Sequence, residues 1–301
     1  MRSLVLYNPS AGRGRGSQAA SLVAAALERQ GWRVRTLRTR AAGDAESWVA
    51  RFGPWAQRAI VIGGDGTLRE VAVGLIGSGQ ALELGFIPLG NANVVARSLG
   101  IPLNIEGAVH CAVHGHARGI DVLSAEGRIA LAMVGIGYDA HVARRLAAAR
   151  NRPFTGRWYA WNGDSLYGFI GGTALVEWKP VRFAVEADGR LHQTRYGAAV
   201  ISNLETYAKG WAMTPGADPC DGKLDWMARK RMSAPFGALS LACAALRRRA
   251  PTMLADYGQA RRIVIHGEGP LAWQADGDYL GTSERLEVAV LAQALQILVP
   301  A

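Results

Sequence analysis

The sequence Ile62-Gly63-Gly64-Asp65-Gly66-Thr67-Leu68-Arg69-Glu70 is the strongest guide to the architecture of this chain. The run Ala59–Ile62 that leads into it is typical of a buried strand, and Leu68–Ile76 has the periodicity of a helix. Glycines at a strand end let the backbone approach a phosphate closely, and the N–H groups that open a helix attract anions. We therefore predict a phosphate-binding strand–loop–helix unit, with Asp65 serving a metal ion or a proton transfer. A tight turn capped by Thr67 is the plainer alternative.

Outward from this unit, short apolar runs alternate with longer amphipathic stretches. The predicted strands are Leu4–Tyr7, Trp32–Leu37, Ala59–Ile62, Leu84–Ile87 and Ile120–Leu123, and the predicted helices are Ser17–Gln30, Asp44–Phe52, Leu68–Ile76, Ala92–Leu99 and Ile105–His114. Strands separated by helices need crossover connections, so they should lie parallel in one covered sheet. Residues 1–122 are therefore predicted to form an open, doubly wound α/β domain.

Beyond residue 122, strand-like runs follow one another with few helices between them. They are Ile129–Val134, Val181–Ala187, Gly197–Ser202, Leu224–Met227, Arg262–His266, Leu271–Ala275, Arg285–Leu291 and Leu295–Val299. We expect a second, mainly antiparallel β domain over residues 123–291, with residues 292–301 packing back onto the first domain. An aromatic- and Gly-rich segment, Arg144 to Lys179, and an apolar helix near Pro235–Arg249 interrupt it.

The composition excludes several classes of protein. Cys111, Cys220 and Cys243 are scattered without C-x-x-C spacing, which argues against a disulfide framework and for a reducing compartment. No apolar run approaches the ~20 residues that a spanning helix needs. The 34 Lys and Arg against 24 Asp and Glu give a net charge of +10, which favours polyanionic partners. No nucleic-acid-binding pattern accompanies these charges, so nucleic acid is not expected among the partners.

Two further loops follow predicted strands. They are Asn8-Pro9-Ser10-Ala11-Gly12-Arg13-Gly14-Arg15-Gly16, whose arginines can reach phosphate oxygens, and Ile87-Pro88-Leu89-Gly90-Asn91-Ala92-Asn93. Gly14 to Ala19 also fits the dinucleotide fingerprint G-x-G-x-x-A, but Leu37-Arg38-Thr39-Arg40 offers no acidic residue for a ribose. An NADP site stays open as an alternative. Three such loops at one sheet edge predict a nucleoside triphosphate site.

In this order, these motifs resemble those of the diacylglycerol kinase-like lipid kinases, a family that includes bacterial diacylglycerol and phosphatidylglycerol kinases and sphingosine kinases. The similarity continues through Asp218-Pro219-Cys220-Asp221-Gly222-Lys223-Leu224-Asp225 and Asp276-Gly277-Asp278, so it spans nearly the whole chain. The resemblance implies a phosphofructokinase-like α/β domain and a β-sandwich lipid-substrate domain, with ATP in the cleft between them.

The resemblance also implies roles for individual residues. The implied ATP contacts are Asn8, Pro9, Ser10, Ala11, Gly12, Thr39, Gly63, Gly64, Asp65, Gly66, Thr67, Leu68, Arg69 and Asn91. Asn91 stands where the family usually has Thr, and it can still donate a hydrogen bond to phosphate. Val94 replaces an Asp of the family pattern and cannot join a charge network.

The remaining implied residues lie in the second half of the chain. Asp218, Asp221 and Lys223 match a structural Mg²⁺ loop, for which a simple turn is the alternative. Asp278 stands where the family has the Glu that accepts a proton, although a hairpin turn would equally use Asp-Gly.

The implied reaction is transfer of the γ-phosphoryl group of ATP to a hydroxyl of a diacylglycerol-like lipid, with Mg²⁺, Asp65 near the catalytic metal and Asp278 as proton acceptor. An NAD kinase-like enzyme and a catalytically weakened nucleotide- or lipid-binding protein are the alternatives.

A lipid substrate implies contact with a bilayer. The expected contacts with an anionic membrane surface are Arg157-Trp158-Tyr159-Ala160-Trp161 and the basic flanks Arg229-Lys230-Arg231 and Arg247-Arg248-Arg249. Core aromatics and solvated arginines are the alternative. The expected location is cytoplasmic, with peripheral membrane association, and a homodimer is left open.

Overall fold

The computed structural model describes residues 1–150, 170–174, 178–207, 210–230 and 234–300. They form two compact units, Met1–Asp121 with Gln293–Ala301 and Val122–Ala292. The strands are β1 (Arg2–Tyr7), β2 (Arg33–Arg38), β3 (Arg58–Gly63), β4 (Glu83–Pro88), β5 (His116–Ala125), β6 (Arg128–Ala130), β7 (Met133–Ile136), β8 (Phe183–Ala187), β9 (Arg190–Tyr196), β10 (Ala198–Ser202), β11 (Leu224–Arg229), β12 (Ala255–Ala260), β13 (Arg262–Ala275) and β14 (Asp278–Val299). The helices are α1 (Ala11–Gly14), α2 (Gly16–Arg29), α3 (Asp44–Phe52), α4 (Asp65–Ser78), α5 (Val94–Ser98), α6 (Ile105–His114), α7 (Tyr138–Arg150) and α8 (Ala234–Ala245).

The first unit is a parallel sheet, as predicted, but the predicted strand Ile120–Leu123 belongs to β5, which pairs with β14 and β6 instead of joining the parallel strands. Its strands lie in the order β14, β4, β3, β1, β2, where β14 contributes its C-terminal end and Gln296 pairs with Glu83. Helices α2 and α6 cover one face, because the apolar side of α2 packs its Val23 and Leu27 against Ile60 of β3. The carboxyl ends of the parallel strands consequently meet along one edge.

Helices α3 and α4 pack closely at a glycine. A Cβ on Gly74 would lie 2.5 Å from the carbonyl oxygen of Glu46 and 2.5 Å from Val49 Cγ1. Gly77, one turn further along α4, has nothing within 4 Å of the same position. The approach of the two helices therefore needs a glycine at residue 74 only.

Alanine at these two glycines should change stability in opposite directions. Gly77→Ala should raise the free energy of unfolding by about 0.5–1 kcal/mol, because alanine loses less backbone freedom in a helix. Gly74→Ala gains the same term but must push α3 away, at a cost of about 1–3 kcal/mol. Urea unfolding of both variants measures the difference, and equal shifts would show that the helices are not in tight contact.

The second unit is mainly antiparallel, as predicted. Its strands lie in the order β12, β11, β10, β7, β13, β14, with the β8–β9 hairpin on β13. Large side chains, including Phe183, Tyr196 and Trp226, fill its core. The separate strands expected at Arg285–Leu291 and Leu295–Val299 are both part of β14, which continues through Gln293 at a φ of +49°.

The basic flanks of α8 agree in part with the expectation of exposed side chains, because Arg247, Arg248 and Arg249 are exposed and Arg229 is not. Arg229 is 5% exposed, because it belongs to β11. Lys230 pairs with Asp256 at 2.6 Å, and Arg247 pairs with Glu205 at 2.5 Å. Arg231 and the segment Arg157–Trp161 lie outside the described residues. Among the described residues, no helix combines the length and the hydropathy that a transmembrane span requires.

Candidate functional site

Backbone hydrogen bonds tie together the loops that follow β1, β3 and β4. The N–H of Asn8 donates to the carbonyl oxygen of Ile62 at 3.0 Å, and the N–H of Leu89 donates to that of Gly63 at 2.7 Å. Gly12 N–H donates to the Leu89 carbonyl oxygen at 2.9 Å. The three loops predicted from the sequence are thus one contiguous structure at the carboxyl edge of the sheet.

Glycines make this approach possible. A Cβ on Gly90 would lie 2.7 Å from the Cα of Gly64, closer than real Cβ atoms come to other atoms. Gly12 has a φ of +59°, in the left-handed region that favours glycine. The loops therefore present mostly backbone, and they lead into the first turn of α4, where the Thr67 N–H donates to the Gly64 carbonyl oxygen at 3.0 Å.

Asp65 is the first residue of α4, and its carboxylate reaches the next loop. Its Oδ1 accepts a hydrogen bond from the N–H of Val95 at 3.1 Å, at the start of α5. The helix expected over Ala92–Leu99 is shorter, because Asn93 has a left-handed φ of +49°. Asp65 thus joins two of the three loops as well as carrying a charge.

Asn93 stabilises the loop after β4, a role that its sequence context does not indicate. Its Oδ1 accepts from the N–H of Gly90 at 2.9 Å, and its Nδ2 donates to the Gly90 carbonyl oxygen at 2.9 Å. Asn91, the residue that was singled out, is exposed. Asn93 therefore holds the loop in shape, and Asn91 is accessible to a ligand.

The other predicted nucleotide contacts lie along the same edge. Thr39 follows β2, and its N–H donates to the Tyr7 carbonyl oxygen at 2.9 Å. Ser10 N–H donates to Asn8 Oδ1 at 3.0 Å, while Pro9, Ala11 and Gly12 continue that loop. Gly66, Thr67, Leu68 and Arg69 belong to the first turns of α4, where Leu68 is buried and the others are accessible. Arg15 braces its own loop, because its Nε donates to the Gly12 carbonyl oxygen at 2.9 Å.

The two carboxylates of the Asp276-Gly277-Asp278 turn have different surroundings. Asp276 accepts hydrogen bonds from the N–H groups of Leu131, Ala132 and Met133 at 2.7, 2.8 and 3.1 Å. Asp278 is exposed at the start of β14. Asp276 therefore anchors the turn in the second unit, and Asp278 is the carboxylate that can meet a substrate.

A second set of hydrogen bonds connects α7 to the same turn. Gln274 accepts from the N–H of Gly277 at 2.7 Å and donates to Asp139, which also accepts from the hydroxyl of Tyr207. Burial raises the pKa of Asp139 above the usual range. Because the amide nitrogen of Gln274 can only donate, the Asp139 oxygen that accepts from it fixes the orientation of the amide, and through it the turn.

Removing the Asp276 carboxylate should destabilise the protein strongly. Asp276→Ala leaves three backbone N–H groups without that acceptor, at a cost of about 2–4 kcal/mol. Asp278→Ala, an exposed change two residues away, should stay within about 0.5 kcal/mol of the wild type. Urea unfolding of both variants measures the contrast, and a small effect of Asp276→Ala would contradict the anchoring role.

The predicted Mg²⁺ loop consists of two local turns. Asp218 Oδ1 accepts from Cys220 N–H at 3.0 Å, and Asp221 Oδ1 accepts from Lys223 N–H at 2.9 Å. Gln259 Nε2 lies 3.3 Å from Asp221 Oδ2 and 3.2 Å from Asp225 Oδ2, so these two carboxylates are neighbours. Burial raises the pKa of Asp225, and Asp221 raises it further.

These oxygen donors suit a hard cation such as Mg²⁺. No cluster of three or more His, Cys, Asp or Glu side chains that could hold a metal occurs in the described part of the chain. An ion at this loop would therefore need further ligands besides these carboxylates.

Family comparisons assign both halves of the chain. Residues 2–125 match the diacylglycerol kinase catalytic domain, and residues 132–299 match the YegS C-terminal NAD kinase beta sandwich-like domain. The chain belongs to the diacylglycerol kinase-like family of lipid kinases. This confirms the resemblance that the sequence motifs indicated, and with it a catalytic α/β domain and a β-sandwich domain.

Individual relatives can be aligned with this chain over almost its full length. A diacylglycerol kinase of Bacillus subtilis is 27% identical over 285 residues, which cover 93% of this chain and 90% of the relative. A diacylglycerol kinase of Staphylococcus aureus is 25% identical over 283 residues, covering 93% and 87%. A solved diacylglycerol kinase structure from Bacillus anthracis superimposes with a TM-score of 0.76 at 21% identity, covering 99% of this chain and 96% of that one. At that identity the structural likeness establishes the fold.

Proposed function

We propose that this lipid kinase transfers the γ-phosphoryl group of ATP to a hydroxyl of a diacylglycerol-like lipid with the help of Mg²⁺. The observation that carries the proposal is the contiguous set of glycine loops after β1, β3 and β4, joined by the hydrogen bonds from Asn8, Gly12 and Leu89. Backbone N–H groups beside a helix N-terminus suit the phosphates of a nucleotide. The relatives named as diacylglycerol kinases support the choice of acceptor.

The nucleotide half of the site lies in the first unit. The loop Asn8–Gly12 and the start of α4 offer the phosphates two approaches, from neighbouring strand ends. Accessible Asn91 and Arg69 can donate to phosphate oxygens, and Thr39 lies at the adjacent end of β2. A bound triphosphate would thus be fixed by rigid backbone, which leaves little reorganisation to the moment of reaction.

Asp278 is the residue proposed to act on the lipid that accepts the phosphoryl group. As the lipid hydroxyl oxygen forms its bond to the γ-phosphorus, the bond from that phosphorus to the β,γ-bridging oxygen breaks and ADP leaves. The proton of the hydroxyl passes to the Asp278 carboxylate. Aspartate is one methylene shorter than the glutamate usual in this family, so the hydroxyl must approach closely or through one water.

Mg²⁺ bound with the nucleotide would neutralise charge that develops on the phosphates. Asp65 is the residue proposed to hold it, because its carboxylate stands at the junction of two loops. Asp218, Asp221 and the Lys223 carbonyl are proposed for a separate ion that stabilises the second unit.

Labelling of a lipid extract tests the proposal and its alternatives together. The full-length protein is incubated with Mg²⁺, γ-labelled ATP, a total lipid extract and NAD, and the labelled products are identified by mass spectrometry. Label in a phosphorylated lipid is the expected result. Label in NADP instead would identify an NAD kinase-like enzyme. ATP binding without any labelled product would identify a binding protein, and either outcome would overturn the proposal.

A further inference from the structure

A cavity of about 260 Å³ opens in the second unit between α7 and the strands β13 and β14. Its polar lining comes from His141, Arg144, Lys179, Tyr279 and Thr282. No Asp or Glu is among the lining residues that the structure describes. The cavity therefore favours an anion, and it uses none of the motifs assigned above.

Arg144 is exposed, and an aromatic ring and an imidazole lie beside its guanidinium. Its guanidinium lies 5.9 Å from the ring centroid of Tyr279, and its Nη2 lies 3.3 Å from His141 Nδ1. His141 and Arg144 are three residues apart on α7 and so share one face of the helix. A guanidinium positioned by an aromatic ring and an imidazole loses less freedom on binding, and its fork matches the oxygens of a phosphate.

Trp178 gives the cavity a firm wall. Its ring packs over Gly137, where a Cβ would lie 3.2 Å from Trp178 Cζ2, and it meets the Tyr138 ring edge-on at 5.6 Å. Lys179 is the next residue in the chain, so the packing of Trp178 fixes the backbone position from which the Lys179 side chain extends. Thr282 of β14 adds a hydroxyl to the lining. Two cationic side chains and a hydroxyl thus line a space that also has apolar walls.

We propose that this cavity binds a phosphate group, supplied either by the headgroup of an anionic phospholipid or by inorganic phosphate. Its volume is below the roughly 300–1,000 Å³ of sites for drug-sized ligands, so it suits a headgroup but not acyl chains. The lipid source rests on the proposed function, which brings the protein to a bilayer. A headgroup bound in this cavity would give the protein a contact with a phospholipid in addition to its contact with the reacting hydroxyl of the substrate.

Two double variants that each remove two positive charges test whether the cavity binds phosphate. Arg144→Gln with Lys179→Gln removes both permanent cations from the lining. Arg128→Gln with Arg190→Gln removes two exposed cations of the same unit that do not line it. Each full-length protein is titrated with inorganic phosphate by calorimetry, and sedimented with phosphatidylcholine vesicles with and without phosphatidylglycerol.

The cavity variant should bind phosphate, phosphatidylglycerol vesicles or both about tenfold more weakly, and the control should bind nearly as the wild type does. Loss of vesicle binding assigns the headgroup, and loss of phosphate binding alone assigns the free anion. Equal losses in the two double variants, or no binding of either probe by the wild type, would overturn the proposal. Neither measurement needs turnover, so an inactive wild type that still binds phosphate through the cavity would refute only the proposed function.

Discussion

Asp65→Asn should reduce lipid phosphorylation by at least about 10²-fold while leaving the protein folded. Asparagine keeps an oxygen that can accept from the N–H of Val95, so the contact between two loops survives. What disappears is the negative charge at the start of α4, which the proposed mechanism uses to hold Mg²⁺ beside the nucleotide. The initial rate of phosphatidic acid formation in diacylglycerol micelles, with thermal unfolding measured in parallel, gives both quantities.

Asp44→Asn is the matched control for that experiment. Asp44 also begins a helix, α3, and its carboxylate accepts from the N–H groups of Arg40 and Ala41 at 2.7 and 2.9 Å. These hydrogen bonds hold the pKa of Asp44 below its usual value. It lies outside the three loops, so its change to asparagine should leave activity within about twofold of the wild type. Equal activity losses in the two variants would contradict a specific role for Asp65.

Asp278→Asn should lower kcat by about 10²–10⁴-fold, because an amide cannot accept the proton of the lipid hydroxyl. KM for ATP should change little, because the nucleotide contacts proposed above lie in the first unit. Exposure of Asp278 predicts that the free energy of unfolding also changes little. Full kinetics in mixed micelles separate the two constants.

Two further substitutions sharpen the interpretation of Asp278. Asp278→Glu restores the residue usual in the family and should keep activity within about tenfold of the wild type, because the carboxylate is retained. Glu284→Gln removes an exposed acid from the same strand and should have no effect. An active Asp278→Asn variant would show that another group accepts the proton.

Much of the fold could be predicted because its strands are strongly patterned. The buried runs before residues 8, 63 and 88 differ clearly from the helices between them, and the family comparison confirms the resulting fold class. β9 (Arg190–Tyr196) and β12 (Ala255–Ala260) were missed. Their polar or Gly-containing sequences lack alternation, and their pairing comes from the neighbours β8 and β11.

The candidate site was predictable only where its residues follow one another in the chain. The loop after β3 can be recognised in the sequence, because several glycines around a single Asp are unusual. Asp139 and Gln274 look like ordinary helix and strand residues, and only folding brings them together beside the Asp276–Asp278 turn. The burial of Arg229 was hidden for the same reason, since an Arg beside Lys230 looks exposed in sequence.

Transfer of the γ-phosphoryl group to a lipid can be followed with two labelled nucleotides. Purified protein and diacylglycerol micelles are incubated with ATP labelled at either the γ- or the α-phosphorus, and the lipid fraction is counted. We expect label in phosphatidic acid from γ-labelled ATP only, with the α-label recovered in ADP, and loss of the lipid label in Asp65→Asn. Bound ATP with an unlabelled lipid fraction, or label from the α-position, would contradict a phosphoryl-transferring lipid kinase.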